Sequence, residues 1–217
     1  LEAAKSAADL GVAGVALHAR TAQQMYEGKA DWSAIKNLVE HLKPTGVPVL
    51  GNGDIWSGAD GAEMVRQTGC AGVVVGRGCL GRPWLFADLV DAFTGGNHRV
   101  LPTLHEVSDV MFRHGELIVD YFESEDRGCR DLRKHMAWYL KGFRVNSELR
   151  RQFGMVGSLK ELRSLLDQLD DQPYPVEIGE KPRGRTSSGR PPTLPDGWLN
   201  DPDEMIHLDA EDMFSGG

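Results

Sequence analysis

Short apolar runs alternate with amphipathic segments along the first part of the chain. Connections of helical length between strands require parallel pairing and right-handed crossovers. This order is typical of an α/β protein. The chain could form half of an α/β barrel, or it could form a doubly wound sheet. Strands are predicted at 11–17, 47–51 and 71–75. Helices are predicted at 2–10, at 59–68 and from Pro83 onward. A further helix is predicted to begin at a cap, either Asp31 or Ser33, and to end at Pro44.

The pattern changes after about residue 97, where the strand-like runs end. Helical patterns follow at 103–124, 127–143, 146–153 and 158–169. From Gln172 onward the chain is rich in Pro, Gly, Ser and acidic residues, and too poor in apolar side chains to order itself. The sequence thus predicts an α/β part at 1–97, an all-α helical domain at 98–170, and a disordered tail at 171–217.

Composition narrows the class of protein. The chain has 217 residues, 41% of them hydrophobic, which is enough to bury a sizeable core. No apolar run approaches the roughly 20 residues of a membrane span, and no signal-peptide pattern opens the chain. A soluble cytoplasmic protein is therefore expected. The chain begins with Leu1 directly in a helical pattern, so we expect that a segment is missing upstream.

Cysteine and histidine spacing gives no indication of a metal site. Cys70, Cys79 and Cys129 are odd in number and lack CxxC spacing, which argues against a disulfide framework or a zinc site. His105 and His114 do not share the i, i+4 face that a metal-binding helix uses. We expect incidental or buried thiols and no bound metal.

Two glycine-rich loops follow the second and third predicted strands. In GNGD (51–54) and GRG (76–78), missing side chains let the backbone approach a ligand, and Arg77 can contact a phosphate with two hydrogen bonds. Barrel enzymes often place a phosphate at the carboxyl ends of their last two strands. The pair predicts a phosphate site, although glycines that only form tight turns are the alternative. His18, Arg20 and Thr21 follow the first strand and should lie on the same rim.

The helical domain concentrates positive charge against an acidic background. Residues 127–151 contain eight Lys or Arg and two acidic residues, whereas the whole chain carries a net charge of −8. At about 100° per residue, the basic and apolar side chains of one predicted helix fall on opposite faces. A solvated cationic face is the common alternative, but the concentration favours RNA. The predicted RNA contacts are Arg127, Arg130, Arg133, Lys134, Trp138, Lys141 and Arg144.

Four blocks in register carry a family resemblance. HARTAQQMYEGKADW, VPVLGNGDI, GVVVGRGCLGRPW and LRKHMAWYLKG closely resemble the C-terminal half of bacterial tRNA-dihydrouridine synthases, particularly the DusB-like branch. The resemblance covers residues 1 to about 170. It implies the C-terminal strands of an FMN-dependent (β/α)8 TIM barrel, followed by a helical domain that binds tRNA.

The resemblance also implies an activity and residue roles. Enzymes of this family reduce the C5=C6 bond of uridine to dihydrouridine, with NADPH reducing the flavin. Their catalytic cysteine belongs to a stretch ahead of this sequence, so no catalytic residue is assigned in this chain, and Cys79 is not a substitute. Arg20 and Tyr26 belong to a loop that could face RNA. The implied FMN-binding residues are His18, Asn52, Gly53, Asp54, Gly76 and Arg77.

The sequence therefore favours an origin in a tRNA-dihydrouridine synthase, with this chain contributing the phosphate half of the flavin site and the tRNA-binding domain. On its own the chain is expected to be inactive. One alternative is another FMN-dependent barrel oxidoreductase that acts on a small molecule, which leaves the basic helix without a role. A second is a truncated protein that binds RNA without redox chemistry.

Overall fold

Three short parallel strands form one sheet in the described part of the chain. The computed structural model describes residues 1–21, 24 and 26–184. Strands β1 (Val15–His18), β2 (Val49–Asn52) and β3 (Gly72–Val74) are ordered β1-β2-β3. In the register, His18 pairs with Asn52, and Asn52 pairs with Val74. The predicted α/β class with parallel strands is confirmed, and the carboxyl ends of all three strands meet at one edge.

Among the described residues, four helices accompany the sheet, and local signals set their ends. Asp31 accepts a hydrogen bond from the Ser33 N–H at the start of the second helix, and Ser57 caps the third through the Asp60 N–H. Gly69, with φ 72°, ends the third helix in the left-handed region. These helices are α1 (Glu2–Asp9), α2 (Trp32–Leu42), α3 (Gly58–Thr68) and α4 (Leu85–Phe93).

The helices cover one face of the sheet. Ile35 and Met64 are fully buried, and a Cβ on Gly51 would come within 2.5 Å of the Met64 sulfur. The centre of β2 therefore needs glycine because α3 lies directly on it. On the opposite face, Ala16, His18 and Val74 are exposed, so the described residues leave that face open. Parallel sheets are normally covered on both faces.

The remaining helices form a second core. Thr103 and Glu106 make a reciprocal capping box at the start of the first of them. A Cβ on Gly128 would come within 2.7 Å of the Val119 Cα, so α5 and α6 cross with their backbones close together. Leu132, Met136 and Phe153 are among the buried residues of this core. The helices are α5 (Leu104–Phe122), α6 (Glu125–Tyr139), α7 (Ser147–Phe153), α8 (Leu159–Leu166) and α9 (Val176–Gly179).

The first part of the predicted disordered tail is ordered. The Gln172 carbonyl accepts a hydrogen bond from the Leu104 N–H at 2.9 Å, and Tyr174 and Arg183 are buried. The prediction of disorder from residue 171 is therefore wrong for residues 172–184. Composition did not predict this order, because the buried side chains of Tyr174 and Arg183 and the backbone hydrogen bond of Gln172 are enough to hold the segment against the helical domain. The rest of the predicted tail, 185–217, lies outside the described residues.

Two features are absent from the described part of the chain. None of its helices combines the length and apolar character needed to cross a membrane. It also brings together no group of three or more His, Cys, Asp or Glu side chains able to hold a metal ion.

Candidate functional site

Both glycine loops line one cavity at the carboxyl edge of the sheet. The cavity has a volume of about 170 Å³. The structure thus brings the six residues implied by the family resemblance to one place, together with Tyr26, Ile55, Trp56, Val74 and Gly78. The six are His18, Asn52, Gly53, Asp54, Gly76 and Arg77.

An unusual backbone conformation directs Asp54 into a polar cluster. Gly53 has φ 128° and Asp54 has φ 56°, and both values lie in the region that favours glycine. A Cβ on Gly53 would also come within 2.7 Å of the Ala30 Cβ. The GNGD loop thus needs glycine at position 53 for conformation and for space. Asp tolerates the left-handed region better than most residues, which fits its place at position 54.

Asp54 is the anchor of the site. Its two carboxylate oxygens accept from Arg20 Nη2 at 2.8 and 2.7 Å, and one also accepts from the Ala30 N–H at 2.7 Å. Burial raises the pKa of Asp54, but the hydrogen bonds from Arg20 and Ala30 and the nearby positive charges outweigh it, so the pKa lies below its ordinary value. Asp54 is therefore an ionised, structural carboxylate at neutral pH.

Arg77 presents its guanidinium beside two aromatic rings. The guanidinium carbon lies 4.4 Å from the centre of the Tyr26 ring and 5.1 Å from that of Trp56. Arg77 Nη2 lies 3.5 Å from an Asp54 oxygen. Burial lowers the pKa of Arg77, and Asp54 opposes that effect. Because an arginine stays protonated near neutral pH, the cavity holds a fixed positive charge. The rings and the carboxylate restrict its orientation.

Asn52 and His18 lie side by side on the open face of the sheet. Asn52 Nδ2 donates to the Val74 carbonyl at 2.6 Å, which ties the ends of β2 and β3 together. His18 is exposed at the cavity rim. Partial desolvation and then the charges of Arg20 and Arg77 lower the pKa of His18. The neutral imidazole is therefore the main form at neutral pH, able to donate from one nitrogen and accept at the other.

The two glycines of GRG differ in their surroundings. A Cβ on Gly78 would collide with the Ile55 carbonyl oxygen, so Gly78 is required for packing between the two loops. A Cβ on Gly76 would meet no other described atom within 4 Å. Packing within the described protein therefore does not explain the glycine at position 76. The backbone at Gly76, with φ −99° and ψ −99°, therefore faces open space that a ligand can approach without meeting a side chain.

Arg20 lies on the expected rim, but its side chain is enclosed and does not face outward as the predicted RNA contact requires. Its side chain is 3% exposed and donates to the carbonyls of Glu27 and Gly28 as well as to Asp54. A side chain so enclosed holds Glu27 and Gly28 against GNGD and does not present itself to RNA. The sequence could not show this, because the pairing of Arg20 with Asp54 joins residues 34 positions apart.

Two tryptophans near the site were missed by the sequence analysis. Trp32 Nε1 donates to the Gly53 carbonyl at 3.0 Å and so fixes the glycine loop from behind. Trp56 forms one wall of the cavity beside Arg77. A signal was present for Trp56, which follows GNGD by two positions. Trp32 ends the quoted block HARTAQQMYEGKADW, but the sequence assigned it no role, because that role depends on how α2 packs.

A wider cavity continues from the first. Its volume is about 760 Å³, and it shares Tyr26, Asp54, Trp56 and Arg77 with the smaller one. Pro182, from the segment after α9, also lines it. The site therefore combines a small, charged inner space with a larger outer one.

The predicted basic face of the helical domain is shorter than expected. Helix α6 ends at Tyr139, because Leu140 and the following residues turn away to join α7. Lys141 and Arg144 therefore do not continue the face of α6, and the prediction of one helix to 143 is wrong. The apolar side chains predicted for the opposite face are buried as expected, although the last two lie beyond the end of α6: Leu132, Met136, Tyr139, Leu140 and Phe143.

The basic side chains of α6 mostly contact neighbours on the same helix. Arg130 pairs with Asp126 at 2.8 Å, and Lys134 pairs with Asp131 at 2.6 Å. Arg127 lies over the Phe122 ring at 5.3 Å. These three side chains are exposed, so they form the surface that we call the α6 basic surface.

Three other predicted RNA contacts are less accessible. Arg133 Nε donates to the Val156 carbonyl at 2.8 Å, and Lys141 Nζ donates to the Lys181 and Pro182 carbonyls. Trp138 is half-buried, with its ring 5.1 Å from that of His135. Arg144 is exposed beyond the end of α6. The contacts of Arg133, Lys141 and Trp138 within the chain therefore help to hold the helical domain together.

Comparison with known proteins places the site in context. Residues 1–173 match the family model described as "Dihydrouridine synthase (Dus)". A probable tRNA-dihydrouridine synthase of Mycobacterium tuberculosis strain H37Rv is 52% identical over 219 positions, which cover 100% of this chain and 55% of that protein. A probable tRNA-dihydrouridine synthase of Mycobacterium leprae is 51% identical and covers 100% of this chain and 56% of that protein.

A more distant relative shows the same relation. The tRNA-dihydrouridine synthase B of Pasteurella multocida is 34% identical over 161 positions, which cover 74% of this chain and 47% of that protein. The chain thus spans about half the length of the curated relatives it matches.

Proposed function

The chain belongs to the dihydrouridine synthase family, and we propose that it forms part of an FMN-dependent enzyme that reduces uridine in tRNA to 5,6-dihydrouridine. NAD(P)H is the proposed reductant of the flavin. In this proposal the chain contributes one end of the flavin site and a surface for tRNA. The catalytic acid is assigned to no residue of this chain.

The sheet is proposed to be the C-terminal part of a (β/α)8 barrel. Its strands are parallel and sequential, and one face is covered by helices while the other is open in the described residues. In a barrel, that second face points inward and is covered by the other strands. The helical domain, here residues 98–184, would then contact tRNA from beside the barrel mouth.

The residues around the inner cavity fit the phosphate of FMN. Arg77 supplies a fixed cation, Gly76 leaves open space at the backbone, and the edge of the sheet is where barrel enzymes bind phosphate. The volume of about 170 Å³ is below the roughly 300–1,000 Å³ of a typical ligand pocket. The cavity therefore suits one end of the cofactor, and the rest extends toward the wider space.

FMN, when bound, supplies the hydride chemistry that reduces the substrate. The side chains of this chain bind and orient. Arg77 neutralises the phosphate, and Asp54 keeps Arg77 and Arg20 in place. Neutral His18 offers one hydrogen-bond donor and one acceptor at the rim. The Cys79 thiol lies 3.1 Å from the Gly76 carbonyl, and burial raises its pKa, so it stays protonated within the turn.

One observation supports this proposal above the others. Two glycine loops, on neighbouring parallel strands, enclose a single cavity that contains a restrained arginine. Tight turning explains each loop alone, but it does not explain why the two loops meet around one arginine-lined cavity with the Gly76 backbone facing open space.

A comparison of FMN with riboflavin tests the proposal. Riboflavin lacks the phosphate, so wild-type chain should bind FMN more tightly, and Arg77→Ala should remove the difference. Loss of a charge-assisted contact of roughly 1.5–3 kcal/mol corresponds to about tenfold to a hundredfold in affinity. The measurement is a titration followed by flavin fluorescence, and Arg66→Ala, an exposed arginine on α3, is the matched control. Equal affinities for both flavins in the wild type contradict the proposed phosphate site.

A further inference from the structure

Arg183 lies in an unusual position for a charged residue. Its side chain is 3% exposed, although it follows a segment rich in proline and charged residues. It also lies beyond residues 1–173, which match the family model. The relatives that align over the whole chain include this segment. We refer to residues 172–184 as the strap.

The surroundings of Arg183 satisfy its whole guanidinium. Nη1 donates to the carbonyls of Leu80 and Trp138, both at 2.8 Å. Nε donates to the Gly179 carbonyl at 3.1 Å, and Nη2 donates to the same carbonyl and to the Tyr174 hydroxyl. A guanidinium has five N–H donors, and these five contacts match that number. A lysine, with three donors on one nitrogen, cannot reproduce this arrangement.

Arg183 joins three parts of the chain. Gly179 and Tyr174 belong to the strap, and Trp138 is in the last turn of α6. Leu80 ends the short turn Arg77–Cys79 and donates its N–H to the Arg77 carbonyl at 3.2 Å. The guanidinium thus connects the turn that carries Arg77 with the end of α6.

The backbones at this junction are in close contact. A Cβ on Gly81 would come within 2.5 Å of the Trp138 carbonyl carbon and of the Tyr139 nitrogen. A Cβ on Gly184 would come within 3.2 Å of the Arg77 Cγ, so the strap passes directly beside the Arg77 side chain. The turn is therefore held between α6 on one side and the strap on the other.

Other charged groups hold the strap in place. Lys141 Nζ donates to the Lys181 and Pro182 carbonyls at 3.0 and 2.7 Å. Glu180 forms an ion pair with Arg99 and lies 3.9 Å from Arg82. Burial lowers the pKa of Arg183 to about 10, still well above neutral pH. The strap therefore carries a buried positive charge whose contacts are carbonyl oxygens and a hydroxyl.

We propose that Arg183 is a positioning residue that locks the Arg77 turn to the end of α6, and so fixes the phosphate-binding guanidinium relative to the helical domain. This inference rests on the proposed function, because it gives the Arg77 turn its role. It also gives Lys141 a role in holding the strap, because the hydrogen bonds of Lys141 to the strap carbonyls restrict its side chain and compete with any contact to RNA.

The test compares two arginines with similar contacts. Arg150 donates to the carbonyls of Leu140, Phe143 and Val145, all within the helical domain. Arg150→Ala therefore removes a carbonyl-binding guanidinium without touching the Arg77 turn. The variants are Arg183→Ala, Arg183→Lys and Arg150→Ala, each checked for folding by circular dichroism. Arg183→Lys keeps the charge and most of the volume, so it serves if Arg183→Ala does not fold.

Two measurements are made on each variant. Amide hydrogen exchange of residues 76–82, without flavin, should rise in Arg183→Ala and less in Arg183→Lys, and stay as in the wild type in Arg150→Ala. Affinity for FMN should fall about tenfold in Arg183→Ala if the ordered turn drops to about a tenth of molecules. Affinity for riboflavin should not change, because the Arg77 turn binds the phosphate, which riboflavin lacks.

The outcomes separate this proposal from the proposed function. Unchanged exchange at 76–82 in both Arg183 variants overturns the positioning role, as does an equal rise in Arg150→Ala. An equal loss of FMN and riboflavin binding also overturns it, since general loosening of the fold has that effect. A wild-type chain that does not prefer FMN to riboflavin contradicts the phosphate site, and hydrogen exchange then decides the positioning of the turn by itself.

Discussion

The site at the sheet edge and the α6 basic surface both place basic side chains near a proposed anionic ligand, but they restrain them differently. Arg20 and Arg77 share a partly buried carboxylate and contact residues distant in sequence. Arg130 and Lys134 pair with carboxylates three or four positions away on their own helix, and these pairs lie at the surface. A restrained cation binds a ligand in one orientation, whereas an exposed cation adapts to many.

This difference suits the two proposed ligands. A cofactor phosphate must be held in one place for the rest of the cofactor to be positioned, and preorganised contacts lower the cost of binding. A tRNA backbone offers many phosphates, and contacts to it set affinity and salt dependence without reading the base sequence. The α6 surface needs charge and exposure, and the sheet edge needs geometry.

The largest expected effect is at the anchor of the restrained site. Asp54→Ala leaves the buried Arg20 guanidinium without its carboxylate, and breaking a buried ion pair costs roughly 3–5 kcal/mol. The partial exposure of Asp54 puts the expected loss near the lower end, about 3 kcal/mol. Urea unfolding measures it.

Asp54→Asn is the control for backbone strain, because asparagine also tolerates a positive φ. It should lose less stability than Asp54→Ala and still bind FMN poorly. Equal stability of wild type and Asp54→Ala contradicts the role of Asp54 as anchor.

An intermediate effect is expected from charge reversal on α6. Arg130→Glu with Lys134→Glu removes two exposed cations and should weaken tRNA binding by about tenfold or more at low salt. The slope of log affinity against log salt should also become shallower, by about 0.7–0.9 for each phosphate that the variant no longer neutralises. Filter binding at several salt concentrations gives both quantities.

The matched control makes the same change of charge elsewhere. Lys5→Glu with Arg66→Glu reverses two exposed cations on α1 and α3, away from the helical domain. If the control pair weakens tRNA binding as much as the α6 pair, only the net charge matters and the α6 surface has no special role.

The smallest expected effect is a change in the pH dependence of stability. Burial, and then the charges of His114 and Lys134, lower the pKa of His135 to about 4. The unfolded state, with a pKa near 6.5, therefore binds the proton more readily than the folded state. Stability from this group is complete above about pH 6.5 and is lost as the pH falls toward about 4.

His135→Gln should flatten the fall in melting temperature between about pH 6.5 and 4, although His114, whose pKa burial also lowers, keeps part of it. Exposed His105 is the control, and His105→Gln should leave the profile of the wild type. Thermal unfolding at half-unit steps of pH measures the slopes. Parallel profiles for His135→Gln and wild type are inconsistent with a half-buried neutral imidazole.

Much of the fold follows from local patterns in the sequence. The apolar runs and their glycine loops predicted all three strands, and the caps at Asp31 and Ser57 begin their helices as local rules require. The end of α6 was missed although Gly142, with φ 88°, is a helix-stop signal, because Tyr139, Leu140 and Phe143 continue the apolar spacing of a helix around it. Apolar periodicity predicts which side chains are buried, but it does not show whether the backbone that carries them is helical.

The candidate site was predictable where neighbours in sequence create it. Gly53, Asp54, Gly76 and Arg77 are found within two short motifs. Arg20 was misplaced because its partner lies on another strand end, and charge alone suggests exposure. The strap was missed for a related reason. The composition of residues 172–184 does not show that Arg183 donates hydrogen bonds to the carbonyls of Trp138 and Leu80, which lie 45 and 103 positions away.

The most direct test of the restrained phosphate site is the phosphorus NMR spectrum of FMN bound to the chain. On binding to the wild type the ³¹P resonance is expected to shift and broaden, and in Arg77→Ala it is expected to return to the position seen for free FMN. Arg66→Ala should retain the wild-type shift. An unchanged ³¹P resonance while the flavin ring reports binding would place the phosphate outside the cavity and contradict the account.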